Sequence, residues 1–81
     1  MDREKVIAKL NQALEYEYAG VVRYSHYSLM IFGFNRIPIV SWFRAQSAES
    51  LTHAEAIGEK ITALGGHPSL QMGSLLETHK H

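Results

Sequence analysis

Apolar residues recur at steps of three and four positions along most of this 81-residue chain, and the pattern is interrupted only once. Such spacing places side chains on one face of an α-helix. The first stripe passes through Val6, Ile7, Leu10, Ala13, Leu14, Glu17, Val21, Tyr24 and Ser28. The second passes through Phe43, Gln46, Ser50, His53, Ile57, Ile61 and Leu64. The sequence therefore predicts an all-α chain with two long helices.

Capping residues predict the bounds of the first helix. Asp2 is a suitable N-cap and Gly33 a suitable C-terminal stop, so we expect a helix over residues 3–32. A helix of about 30 residues is about 45 Å long, which favours a helix bundle over a mixed fold. Gly20 lies inside it, where glycine costs up to about 1 kcal/mol relative to alanine. We expect another helix to approach closely at this glycine.

The second half of the chain has equally clear punctuation. Gly, Asn and Pro interrupt the helical pattern together over residues 33–38, which predicts a loop. A second helix over 39–64 then ends at a Gly-Gly pair. Residues 65–81 form a short tail or one helical turn, because Ser74–Glu77 has capping-box spacing. The whole chain, residues 1–81, is predicted to be a single domain.

Two helices cannot enclose a hydrophobic core by themselves, because each stripe needs covering on more than one side. We therefore expect at least two copies of the chain to associate. Two antiparallel hairpins related by a two-fold axis form a four-helix bundle. The predicted partner is a second copy, as a homodimer or within a higher homo-oligomer.

Composition excludes several classes of function. Eight Lys and Arg balance eight Asp and Glu, so no net charge attracts the chain to nucleic acid or to an anionic membrane. The absence of Cys excludes disulfides and thiolate metal sites. The longest apolar run, around residues 29–34, is far shorter than the roughly 20 residues that span a bilayer. The charged start does not resemble a signal peptide, so a cytoplasmic location is expected.

Three side chains on these helices suggest a metal site. Glu17 interrupts an apolar stripe, and a buried carboxylate needs a partner. Glu49 and His53 lie one turn apart on the second helix, so they can share a ligand. In a dimer, two copies of each provide the carboxylates and imidazoles that di-iron and di-manganese bundles use. Tyr24 lies two turns after Glu17, where its hydroxyl can donate a hydrogen bond beside the site.

Four stretches carry a family resemblance. They are LNQALEYE at residues 10–17, Tyr24, ESLTHAE at 49–55 and ITALGGHP at 61–68. Together they resemble the first half of a bacterioferritin or a close ferritin-like protein. The resemblance implies a di-iron centre shared between two chains, with about two Fe per dimer. It also implies Fe(II) oxidation by oxygen or peroxide, in iron storage or detoxification.

The resemblance assigns roles to individual residues. Glu17 matches the terminal Glu of the family's first helix, with Tyr24 beside the site, and His53 matches the histidine ligand of the second helix. Ser50 stands where the family has a bridging Glu, so the neighbouring Glu49 is the candidate bridge. Leu51 stands where bacterioferritins have their haem-ligating Met, which argues against haem.

Two alternatives remain open from the sequence. One is a structural or interaction bundle that has lost its metal chemistry, which Ser50 favours. The other is a fragment of a longer bacterioferritin-like chain, because the family's third and fourth helices are missing.

Overall fold

The computed structural model describes residues 2–73, and this part of the chain forms two helices and no strand. Helix α1 spans Arg3–Ser28 and helix α2 spans Arg36–Ala63. The two pack antiparallel along their whole length. The predicted all-α, two-helix hairpin is therefore confirmed, whereas the capping box predicted at Ser74–Glu77 lies outside the described residues.

Helix α1 begins as predicted and ends earlier. The side chain of Asp2 accepts a hydrogen bond from the backbone N–H of Lys5 at 3.3 Å, which confirms the N-cap. The C-terminal end at Ser28 precedes the predicted end at residue 32. The N–H of Leu29 bonds to the carbonyl three residues back, at 3.0 Å, which tightens the last turn. Gly33, with φ of +100°, lies beyond this turn and does not cap the helix.

Helix α2 begins three residues before the predicted start at 39 and ends at Ala63, one residue before the predicted end. Pro38 lies within its first turn, where the missing N–H of proline needs no helical partner. At the other end, Gly65 has φ of +79° and its N–H donates to Thr62 O at 2.9 Å. The N–H of Gly66 donates to Ile61 O, also at 2.9 Å. These paired bonds form a Schellman motif, which a left-handed glycine permits.

The interface between the helices has an apolar cluster in the half nearer the chain termini. Leu14, Ala54 and Ile61 are fully buried there. Partly buried side chains surround this cluster: Ile7, Leu10, Tyr18 and Ile57. Towards the loop, Val40 is buried and the Ser47 hydroxyl donates to Val21 O at 3.0 Å. Packing near the loop therefore combines apolar contacts with a hydrogen bond between the helices.

The face that α2 presents to α1 differs from the predicted stripe. The buried positions of α2 are Val40, Ser47, Ser50, Ala54 and Ile61. The predicted line also included Gln46, His53 and Ile57, which lie on one flank of that face. Ser50 and Ile61 are common to the two sets, so the prediction was correct for those positions.

After α2 the chain turns back and runs along α1. The Asn11 side chain fixes this segment in both directions, donating to His67 O at 3.2 Å and accepting from Ser69 N at 2.7 Å. Further on, the N–H of Gly73 donates to Glu15 O at 2.8 Å. We call residues 65–73 the strap. It stays in contact with α1 without forming a helix.

Much apolar surface stays exposed on this hairpin. Large exposed side chains include Tyr16, Leu29, Phe32, Phe34, Ile37, Trp42 and Leu51. Their exposure is consistent with the expected association, which remains a prediction. Neither of the two helices is both long and apolar enough to cross a membrane, over the described part of the chain.

Candidate metal centre

A cavity of about 190 Å³ opens on one flank of the hairpin, between the two helices. It is lined by Tyr16, Glu17, Gly20, Arg23, Tyr24, Gln46, Glu49, Ser50 and His53. All the residues that the sequence nominated for a metal site are among them. Helical spacing explains the grouping, since residues three, four and seven apart share one face.

Glu17 and His53 are the closest pair of candidate ligands. Glu17 Oε2 lies 3.5 Å from His53 Nδ1. The Glu17 side chain is 19% exposed, and the His53 side chain is 52% exposed. The carboxylate therefore sits between the helices, while the imidazole rises from α2 at the open side of the cavity.

Glu49 approaches the other nitrogen of the same ring. Its Oε1 lies 3.9 Å from His53 Nε2, and its side chain is 62% exposed. The two ring nitrogens point in different directions. The Glu17 and Glu49 carboxylates therefore do not converge on one point, and no group of three acidic, His or Cys side chains in residues 2–73 is arranged to hold a metal ion.

Ser50 occupies the position between Glu49 and the helix interface. It is buried, and it packs against Gly20 of α1. A Cβ added to Gly20 would lie 2.9 Å from Ser50 Oγ. The close helix approach predicted at Gly20 is thus confirmed.

Tyr24 is held in the cavity wall by its neighbours. Its ring meets Trp42 edge-on, with centroids 6.4 Å apart, and Phe43 at the same distance in a tilted arrangement. The Arg23 guanidinium lies 5.7 Å from its centroid. These contacts fix the phenol on the same side of the hairpin as Glu17.

Sequence reasoning missed Arg23 as a cavity residue. It lies off the apolar stripe of α1, so the helical pattern predicted that its side chain faces solvent. The signal that could have found it is its place immediately before Tyr24, with a guanidinium long enough to cover the adjacent ring. A cation thus borders a cavity that contains two carboxylates.

Comparison with known proteins identifies the fold family. The sequence pattern of the family described as "Ferritin-like domain" matches residues 7–81. A solved ferritin-like, diiron-carboxylate protein from Bacillus anthracis str. Ames superposes with a TM-score of 0.88 and 27% sequence identity, covering 95% of this chain and 55% of its own. The chain thus spans about half the length of that protein. A search of curated proteins found no match to this chain. The chain belongs to the ferritin-like domain family.

Proposed function

We propose that this chain supplies half of a carboxylate-histidine metal site of the di-iron type and that a second copy supplies the other half. The ligands proposed for each half are Glu17 and His53, with Glu49 beside them. The proposed activity is oxidation of Fe(II) by oxygen or peroxide, in iron storage or detoxification.

The distance between Glu17 Oε2 and His53 Nδ1 carries this proposal. Imidazole and carboxylate ligands lie about 2.0–2.2 Å from a metal such as zinc, which puts adjacent ligands of one ion about 3.0–3.5 Å apart. The observed 3.5 Å is at the upper end of this range. The pair also faces an open cavity, so further ligands have room to enter.

The donor types of these residues suit such a metal, but there are too few of them to complete its coordination. Oxygen and imidazole donors suit Fe and Mn, and the sequence contains no Cys that would favour a thiolate site. In ferritin-like bundles, one helix of each hairpin gives a Glu and the other gives a Glu-x-x-His pair. Glu17 and His53 occupy two of these three positions, and Ser50 occupies the third. A closed site therefore needs donors besides those of residues 2–73, which a two-fold axis would provide.

Each residue has a separate task in the proposed site. Fe(II) would be both the bound ion and the substrate, and each ion would give one electron to oxygen or peroxide, the oxidant of the proposed reaction. Glu17, little exposed, offers carboxylate oxygens at the helix interface, and His53 offers a ring nitrogen beside it. Glu49 lies by the other ring nitrogen, where a carboxylate orients a ligating histidine. Tyr24 forms part of one wall, where its ring contacts Trp42 and Phe43.

Metal titration tests the proposal. Anaerobic Fe(II) binding is measured by calorimetry for the wild-type chain and for the Glu17→Ala and His53→Ala variants, with dimer mass from analytical ultracentrifugation. We expect two Fe per dimer, and affinity reduced by about tenfold or more in either variant, equivalent to at least about 1.4 kcal/mol. Glu55→Ala is the matched control, because Glu55 is an exposed acid of α2 outside the cavity. Equal binding by all four proteins would place the site elsewhere.

Loss of Fe(II) in air, followed for the same proteins, tests oxidation separately.

The second candidate function is a structural bundle without metal chemistry. The burial of Ser50 against Gly20 favours it, because this packing replaces a potential ligand with a helix contact. A ligand that binds only the folded state stabilises that state. If the chain is structural, adding a chelator will leave its melting temperature unchanged. If it binds a metal, the chelator will lower its melting temperature.

The source of the missing donors can be checked independently. If the sequence belongs to a longer chain, the residues that follow would provide the second half of the site in place of a second copy. The intact mass of the natural protein separates these two cases. Either result leaves Glu17 and His53 as the ligands that this half provides.

A further inference from the structure

The charges of this chain are segregated along the hairpin, although their sum is zero. Residues 18–48 contain no Asp or Glu and carry three arginines, Arg23, Arg36 and Arg44. Every acidic side chain of the protein lies outside this segment. The half of the hairpin that includes the loop is therefore cationic, and an anionic partner is complementary to it.

The same end of the molecule exposes large apolar side chains. We call residues 29–37 the hairpin tip; they comprise the connection between the helices and the first two residues of α2. Phe32 is 89% exposed and Phe34 is 106% exposed, so neither ring packs against the protein. Leu29 and Ile37 at the two ends of the tip are also mostly exposed. An apolar cluster of this kind, rimmed by polar residues, indicates an interaction site.

The arginines are anchored close to these apolar residues. Arg36 Nε donates to Ile31 O at 3.1 Å, and Arg44 Nε lies 3.5 Å from Ser28 Oγ at the end of α1. Both side chains remain exposed, so their charges can reach a partner. Trp42 is 55% exposed on the first turns of α2, between the two arginines in sequence. The apolar side chains of the tip therefore extend into solvent, and the two arginines and Trp42 lie next to them on the side of the helices.

We propose that the hairpin tip docks on the surface of an anionic lipid bilayer, with Phe32 and Phe34 entering the interface. A bilayer accepts a protruding apolar tip without shape complementarity, whereas a specific protein interface needs an extended matching surface. Insertion of apolar side chains combined with attraction of Lys or Arg to anionic lipids is the usual mode of peripheral binding. Aromatic rings such as that of Trp42 favour the boundary between acyl chains and water.

This docking is peripheral and independent of the metal site. The described helices do not qualify as membrane spans, so contact would be confined to the tip. The zero net charge had predicted no attraction to anionic membranes. The distribution of charge in the hairpin changes that expectation for its loop end, because screening confines each interaction to about 10 Å. Charges at the far end therefore do not cancel those at the tip.

Vesicle binding provides the test. Trp42 is the only tryptophan of the chain, so its emission reports contact with lipid directly. The full chain is added to vesicles of phosphatidylcholine alone or with about one third phosphatidylglycerol, and binding is measured by flotation and by the Trp42 emission shift. We expect binding to the anionic vesicles, a blue shift, and weakening at high salt.

Three double variants assign the binding to the tip. Phe32→Ser with Phe34→Ser, and Arg36→Gln with Arg44→Gln, should each weaken binding by about tenfold. Leu70→Ser with Met72→Ser is the matched control, because it removes two exposed apolar residues from the strap and should leave binding unchanged. Circular dichroism shows whether each variant keeps its helices.

Several results would overturn the proposal. These are absence of wild-type binding to anionic vesicles, unchanged binding after both phenylalanines are replaced, and an equal loss in the strap control. Sedimentation without lipid provides another test. If replacing the phenylalanines converts an oligomer to monomer there, the tip is an interface between copies of the chain.

Discussion

Gly20 and Ser50 face each other across the α1–α2 interface, so closely that a Cβ on the glycine would lie 2.9 Å from the serine hydroxyl and 3.4 Å from its Cβ. This contact sets the helix separation beside the cavity. It also joins two features that looked separate in the sequence, a glycine inside a helix and a serine in place of an expected carboxylate. The position at which the family resemblance expects a metal ligand is here part of the helix packing.

Enlarging Gly20 should destabilise the hairpin. The branched side chain of Gly20→Val would meet Ser50, and overpacking of this kind lowers the free energy of unfolding by about 1–3 kcal/mol. Gly58→Ala is the matched control, because Gly58 is also inside a helix and a Cβ there meets nothing within 4 Å. That variant should gain up to about 1 kcal/mol from helix propensity. Urea denaturation measures both, and equal effects would mean that the Gly20–Ser50 contact does not limit packing.

Restoring a carboxylate at position 50 should strengthen metal binding. Ser50 borders the cavity shared by Glu17 and His53, so the side chain of Ser50→Glu has space to extend towards both. We expect a gain of about tenfold in Fe(II) affinity, equivalent to about 1.4 kcal/mol. Without metal the variant should be less stable than wild type, because it places a charge beside a buried position.

The control for this variant is the adjacent residue. Leu51→Glu adds the same carboxylate to an exposed position of α2 that does not line the cavity. Calorimetry with Fe(II) should show no gain for it. If both variants bind more tightly by the same factor, the effect comes from added negative charge and not from a ligand.

Two of the helix ends could be predicted from the sequence, because a single capping residue or a glycine pair marks each of them. The Asp2 cap and the Gly65–Gly66 stop both form hydrogen bonds to neighbouring backbone groups, and both were predicted. The end of α1 was not predicted, because Gly33 appeared to be its natural stop. The structure shows that Ser28 donates to Ser25 O at 2.6 Å in the last turn, a local bond that competes with continuation of the helix.

The sequence predicted that the candidate ligands would lie together, but it did not predict how they are oriented. Family spacing brought Glu17 and His53 to one flank, and they lie together. Periodicity could not say that α2 would turn positions 47 and 54 towards α1, leaving His53 half exposed. That choice depends on how small residues such as Ser47 fit against the other helix. The orientation of α2 is thus set by tertiary packing, which the sequence pattern of a single helix does not reveal.

The serine contacts near the loop should stabilise the hairpin. Ser47 uses its one proton to donate to Val21 O, so Ser25 must donate in the 2.8 Å contact between the two hydroxyls. Ser47→Ala removes both bonds. Ser25 is exposed, so water can replace its lost acceptor, and we expect a cost of about 0.5–1.5 kcal/mol. Thr52→Ala is the control, since Thr52 bonds only within its own exposed turn and should be neutral or slightly stabilising. Thermal unfolding of both variants measures the difference, and equal melting temperatures would exclude a role for these bonds.

Asn11 should determine whether the strap stays on α1. Its amide group donates to His67 O and accepts from Ser69 N, so Asn11→Ala removes both polar contacts from one position. Because the strap has few buried side chains, we expect local opening more than global unfolding, with amide exchange of Ser69 faster by about tenfold. Gln12→Ala is the control, since Gln12 is an exposed neighbour on the same helix. Exchange at Gly73 then shows how far the opening extends, because its N–H bonds to Glu15 O independently of Asn11. Unchanged exchange at Ser69 in Asn11→Ala would mean that other contacts, such as the close packing of Gly66 on Ile7, hold the strap in place.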